Sequence, residues 1–101
     1  MLNENESCIE VNSTLTEANA EEILSEGVIV LSNSTADSVT ADFSATRNID
    51  SSLIAVMLEW QRVAIKMEKR LVFVGVSKSI ESLIAVYGLS EIIQLDFEQI
   101  P

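Results

Sequence analysis

Histidine is absent from this chain, cysteine and proline occur once each, and glycine occurs three times. Without an imidazole there is no Ser-His-Asp arrangement, no thiolate–imidazole pair and no zinc site of the Cys/His type. The single Cys8 excludes an intrachain disulfide, and its alternation with Ile9 and Val11 predicts a buried structural thiol. Gly27, Gly75 and Gly88 lie too far apart for a Walker A loop or a dinucleotide fingerprint. Basic residues number six, and none lies in residues 1–46, which hold nine carboxylates. Phosphate backbones and anionic membranes both need cations, and this half of the chain repels them. It suits either an acidic solvated surface or a basic partner. Long apolar runs are also missing. Leu53–Leu58 covers six residues, against the roughly 18–20 of a membrane span. Met1–Ser7 is polar and acidic, with neither a basic n-region nor an h-region, so a soluble cytoplasmic protein is expected. Glu21 and Glu22 form a carboxylate pair, but at a helix start, where the dipole favours them as solvated caps. No residue set here suits catalysis, a cofactor or a metal, and the expectation is a protein that is not an enzyme.

What the chain does have is apolar patterning. Its 101 residues are 48% hydrophobic, enough for one domain with one core that hides roughly two thirds of the unfolded surface. Residues 1–7 are expected to be frayed, ahead of a domain over 8–101. Cys8 to Leu15 alternates as a strand does. Asn19 and Glu22 have capping-box spacing, and Ile23, Leu24, Val28 and Leu31 follow at helical intervals. Gly27 costs about 1 kcal/mol inside such a helix, which leaves a strand over 27–31 as the alternative. Ser32–Ser38 reads as a polar loop. Val39, Ala41 and Phe43 alternate again. The clearest helix spans Ser51 to Met67. Ala55, Leu58, Arg62 and Ile65 trace one side, while Leu53, Val56 or Met57, Trp60, Ala64 and Met67 trace another. Its first two turns are apolar all round, so the helix start is either wedged into the core on two fronts or keeps one front for a partner. Leu71–Val76 has the continuous apolar character of a buried parallel strand. Ser77 is a good N-cap for a helix carrying Ile80, Leu83, Ile84 and Tyr87, closed by Gly88. Ile92–Leu95 reads as a last short strand and 96–101 as a tail. Alternating strands and helices predict an α/β domain with a mainly parallel sheet of four to five strands.

From Val39 onward the pattern resembles STAS domains, the sulfate-transporter and anti-sigma-antagonist family. In residues 39–58 (VTADFSATRNIDSSLIAVML) a strand leads to an acidic residue followed by serine at a helix start. The likeness extends through Leu58-Glu59-Trp60, through Leu71–Val76, and through Ile80–Leu89 (IESLIAVYGL). Leu-Glu-Trp and Ile-Ala-Val-Tyr-Gly-Leu look like the MlaB-like members, the STAS subunits of the Mla phospholipid ABC transporter. The resemblance covers about residues 8–95.

The resemblance implies a STAS-like fold and a role in binding rather than catalysis. In the family's terms Ser51 aligns with the hydroxyl residue that antagonists present for phosphorylation, and that MlaB-like proteins place against the transporter ATPase. Asp50 matches the acidic residue before it. Where the family usually has glycine, this chain has Ser52 and Leu53, a bulky apolar group expected near the interface. The implied partner is an ABC transporter ATPase, in a system that maintains outer-membrane lipid asymmetry. The alternative is an anti-sigma factor or serine kinase, with Ser51 as a phosphorylation switch. The expected partner surface is Asp50, Ser51, Ser52, Ile54 and Leu58, with Ser77 and Lys78 on the adjoining loop. At the start of a helix Ser51 would meet free N–H groups and a positive dipole end; as an N-cap, Ser51 or Ser52 would contribute about 1 kcal/mol.

Overall fold

A computed structural model describes residues 2–5 and 8–93, the first of these segments by its backbone alone. The alternating segments form strands β1 (Leu2–Asn5), β2 (Cys8–Val11), β3 (Ser38–Asp42) and β4 (Arg70–Val74). The helical ones form α1 (Ala20–Asn33), α2 (Ser52–Lys66) and α3 (Lys78–Val86). The sheet runs β1-β2-β3-β4, with β1 antiparallel to β2 and the other pairs parallel. This is the mainly parallel α/β sheet that the sequence predicts. Leu2–Asn5, expected to be frayed, instead pairs along β2, since main-chain pairing needs no apolar side chains.

Register explains the core. Ile9 pairs with Ala41 and Ala41 with Phe73, so these three make one row across the sheet, and Val39 pairs with Leu71 beside them. All five are fully buried. The neighbouring row, Cys8–Thr40–Val72, is only half-buried. Two expectations change as a result. Cys8 is half-buried rather than a core thiol. Burial, with Asp42 and Glu10 nearby, raises its pKa and keeps it protonated. The run Leu71–Val76 holds an edge strand among the described residues, with Val72 half-buried, because the helices cover chiefly one face. The crossovers from β2 to β3 and from β3 to β4 carry α1 and α2, which pack together.

Gly27 decides how α1 meets α2. The helix continues unbroken through it, which removes the strand alternative for 27–31. A β-carbon there would overlap the Trp60 indole, so the glycine forms the notch that admits the ring. Trp60 is fully buried and its Nε1–H donates to the Leu24 carbonyl at 2.9 Å. Phe43 stacks between Trp60 and Phe73 at centroid separations of 6.0 and 6.2 Å.

The ends of the helices are closed by identifiable groups. Asn19 sits at the N-cap of α1 but makes no cap bond, contrary to the expected capping box. Its amide instead braces the preceding turn, accepting from Thr16 N–H and donating to the Thr14 carbonyl. The last turn of α1 has no basic residue, and Lys69 fills that role from afar, donating to the Ser34 and Ala36 carbonyls at 2.7 Å each. Gly88, at φ 72°, ends α3: its N–H bonds Ala85 and that of Leu89 bonds Ile84, the Schellman pattern. Glu68 takes the same left-handed position after α2, at φ 58°, without being glycine. Past Gly88, the N–H groups of Ile92 and Ile93 both turn back to the Leu89 carbonyl, so these two residues lie in a turn and Ile93 enters the core. The rest of the strand expected over 92–95, and the tail over 96–101, lie outside the described residues.

Candidate functional site at the start of the second long helix

Residues 46–50 lead the chain from β3 into α2 and run beside residues 11–15. Thr46 Oγ1 donates to the Val11 carbonyl at 2.7 Å, Arg47 N–H to Ser13 and Asp50 N–H to Leu15. The start of α2 is therefore fastened to the loop that precedes α1. Asp50 completes the junction. Its Oδ1 accepts from Ser52 N–H at 2.8 Å and its Oδ2 from Glu17 N–H at 3.2 Å. The Ser52 N–H and hydroxyl, with Glu17 N–H, hold the Asp50 carboxyl below its ordinary range.

This arrangement reassigns the serines. Ser51 occupies the N-cap position but has helical φ and ψ of −66° and −9°, and its side chain makes no cap hydrogen bond. The capping acceptor is Asp50, one residue earlier. Ser51 is thus an exposed hydroxyl at the positive end of a 15-residue helix, without a structural duty. Ser52 is half-buried and faces Asp50.

The remaining expected contacts divide. Ile54 is 6% exposed and belongs to the core, so it is not available to a partner. Leu53, expected near the interface, is fully buried. Together with Val56 and Met57 they show that the apolar helix start is wedged between neighbours on two fronts, because α1, α3 and β4 all pack on α2. Leu58 remains half-buried at the surface. Ser77 is a working N-cap: its Oγ accepts from Ile80 N–H at 3.3 Å. Lys78 is exposed, and among the described residues no hydrogen bond joins Ser77 or Lys78 to the start of α2.

Further along α2, the side traced by Ala55, Leu58, Arg62 and Ile65 is open. With Ile92 from the turn after α3 it lines a groove of about 450 Å³. Glu59 and Gln61 complete the lining, and Glu59 pairs with Arg62, which holds the Glu59 carboxyl below its ordinary range. Ile65 is 63% exposed. Gln61 is 7% exposed, the one buried polar residue among those described, and its Oε1 has no partner. An unpaired buried acceptor costs about 1–3 kcal/mol. The periodicity marks this side of the helix but carries no sign that Gln61 would be buried with it.

Among the described residues no group of three or more acidic, cysteine or histidine side chains is placed to hold a metal ion. No helix among them is long and apolar enough to cross a membrane.

Comparison with known proteins now has a geometry to attach to. The family model described as "Mlab, STAS domain" matches residues 2–95. The chain belongs to this MlaB-type STAS family. Two solved structures show the same fold. One is described as an anti-sigma factor antagonist from Thermotoga maritima; it has a TM-score of 0.75 and 15% identity, covering 96% of this chain and 86% of that one. The other is the anti-sigma factor antagonist SpoIIAA in its unphosphorylated form; it has a TM-score of 0.72 and 16% identity, covering 98% and 89%. No curated protein matches the chain. In this STAS domain Asp50, Ser51 and Ser52 stand where the segment after β3 enters α2.

Proposed function

We propose that this STAS domain is a non-enzymatic accessory subunit. It binds the cytoplasmic ATPase of an Mla-type phospholipid ABC transporter, and so serves outer-membrane lipid asymmetry from the inner face of the inner membrane. The observation that carries the reading is the Ser51 hydroxyl: exposed at the start of α2 and released from capping because Asp50 caps instead. A group held at a rigid helix end, with no role in the fold, is suited to a protein contact. The match to a family model described as MlaB supports the transporter as the setting.

The second reading is an anti-anti-sigma factor switched by phosphorylation of Ser51, and the same exposed hydroxyl favours it. Asp50 before the serine fits this reading too, as the acidic residue that precedes the hydroxyl in antagonists. What weighs against it is the stretch after Ser51, where Ser52 and Leu53 stand in place of the family's usual glycine and limit close backbone approach by a kinase. A tagged pulldown from the native host, with mass spectrometry of the partners and of Ser51, separates the two. An ABC ATPase recovered with unmodified Ser51 supports the transporter subunit. An anti-sigma factor or serine kinase, with phosphate on Ser51, overturns it.

A further inference from the structure

The groove along the outward side of α2 is not explained by a contact at Ser51. From Ala55 to Ile65 it follows the helix for about 15 Å, at 1.5 Å per residue. Leu58, Ile65 and Ile92 form apolar walls, and Ala55 leaves room between them for an incoming side chain. That length and spacing suit a second helix presenting residues at i, i+3 or i+4, and i+7. Gln61 lies in the lining with its Oε1 unpaired, so turning the amide outward to meet a donor sacrifices no existing hydrogen bond.

We propose that this groove receives a cationic amphipathic helix of a protein partner. The unpaired oxygen of Gln61 can only accept, and so calls for an N–H donor. The chain carries a net charge of −10, and Glu59 stands in the groove lining. Such a field draws in Lys- or Arg-bearing segments and repels acidic ones. It also argues against a second copy of this chain, which would bring another ten negative charges to the same place. Glu59, at the rim, can exchange its bond with Arg62 for a cation of the partner. This inference goes beyond the contact at Ser51 and does not depend on which partner uses that serine.

The test is calorimetric titration of the full chain with two synthetic amphipathic peptides, one of leucine and lysine and one of leucine and glutamate. It is run in physiological salt and near 1 M salt, where charges are screened beyond about 3 Å. The Leu/Lys peptide is expected to bind in both, and the Leu/Glu peptide to bind at least roughly tenfold more weakly in physiological salt. Ile65→Asp, at an exposed position, should weaken the Leu/Lys peptide by roughly tenfold or more without changing the melting temperature. Gln61→Leu should keep or raise the melting temperature, because it removes a buried unpaired acceptor, and still weaken binding. Ser51→Asp should leave peptide affinity unchanged, so failure here and failure of the transporter reading are distinguishable. Equal affinity of wild type and Ile65→Asp overturns the proposal, as does equal binding of the two peptides in physiological salt. So does loss of both fold and binding in Gln61→Leu. A concentration-dependent dimer abolished by Ile65→Asp would assign the groove to a second copy and overturn it likewise.

Discussion

The two sides of α2 differ in what the fold asks of them. Inward, Leu53, Met57, Trp60 and Ala64 are fully buried, and Trp60 is locked by the Gly27 notch and the Leu24 carbonyl. Outward, the helix begins with a serine that caps nothing and continues through Ala55, Arg62 and Ile65, which stay exposed, with Leu58 half-buried against the edge of the core. One side is committed to stability, and the other is left open. The same contrast recurs between two helix starts. Ser77 uses its hydroxyl to cap α3, whereas Ser51, in the corresponding position on α2, is relieved of that task by Asp50.

The largest effect should come from breaking the inward side. Gly27→Ala would push a methyl into the Trp60 ring, and overpacking against a rigid indole is expected to cost about 3 kcal/mol. Urea unfolding would show this as a lowered midpoint with an unchanged slope. A loss below ~0.5 kcal/mol would mean the notch is not what seats the ring. Next is the cap that is in use: Ser77→Ala should cost about 1 kcal/mol, while Ser51→Ala should stay within about 0.5 kcal/mol of wild type. If the two serines exchanged these values, the contrast between the helix starts would be wrong.

Asp50 sharpens the contrast through pH. Its carboxyl is held below the ordinary range in the folded state, so the stability it contributes is complete above the unfolded value of about 4 and is lost as pH falls through the lower folded value. Melting temperatures measured down to acidic pH should therefore fall less steeply in Asp50→Asn than in wild type. Parallel curves would remove Asp50 as the cap. One expected change is a gain: Glu68→Gly relieves a side chain from left-handed backbone and should stabilise the end of α2 by up to about 1 kcal/mol in the same unfolding assay.

Much of this was readable from residue order, and the exceptions share a cause. The alternation of Val39, Ala41 and Phe43, the long helix, and Gly88 as a terminator are local patterns, and the structure holds them as read. What periodicity could not convey was which neighbour each apolar side chain meets. Ile54 looked available because an all-apolar helix start has no polar face to mark its orientation, yet helices pack on both of its flanks. Gly27 read as a weakness in α1 because its reason, Trp60, lies 33 positions away. Ser51 read as a cap because Asp50, Ser51 and Ser52 are three capping residue types in a row, and the backbone angles decide among them. Ser77 read correctly because apolar Val76 before it offers no competing cap.

The most direct test of the account is to co-express the transporter ATPase with wild type, Ser51→Asp and Ser77→Ala, and to measure co-purification alongside each variant's melting temperature. The account predicts that Ser51→Asp loses the ATPase at an unchanged melting temperature, while Ser77→Ala retains it at a lowered one. Retention of the ATPase by Ser51→Asp would contradict the claim that the start of α2 is where this STAS domain meets its partner.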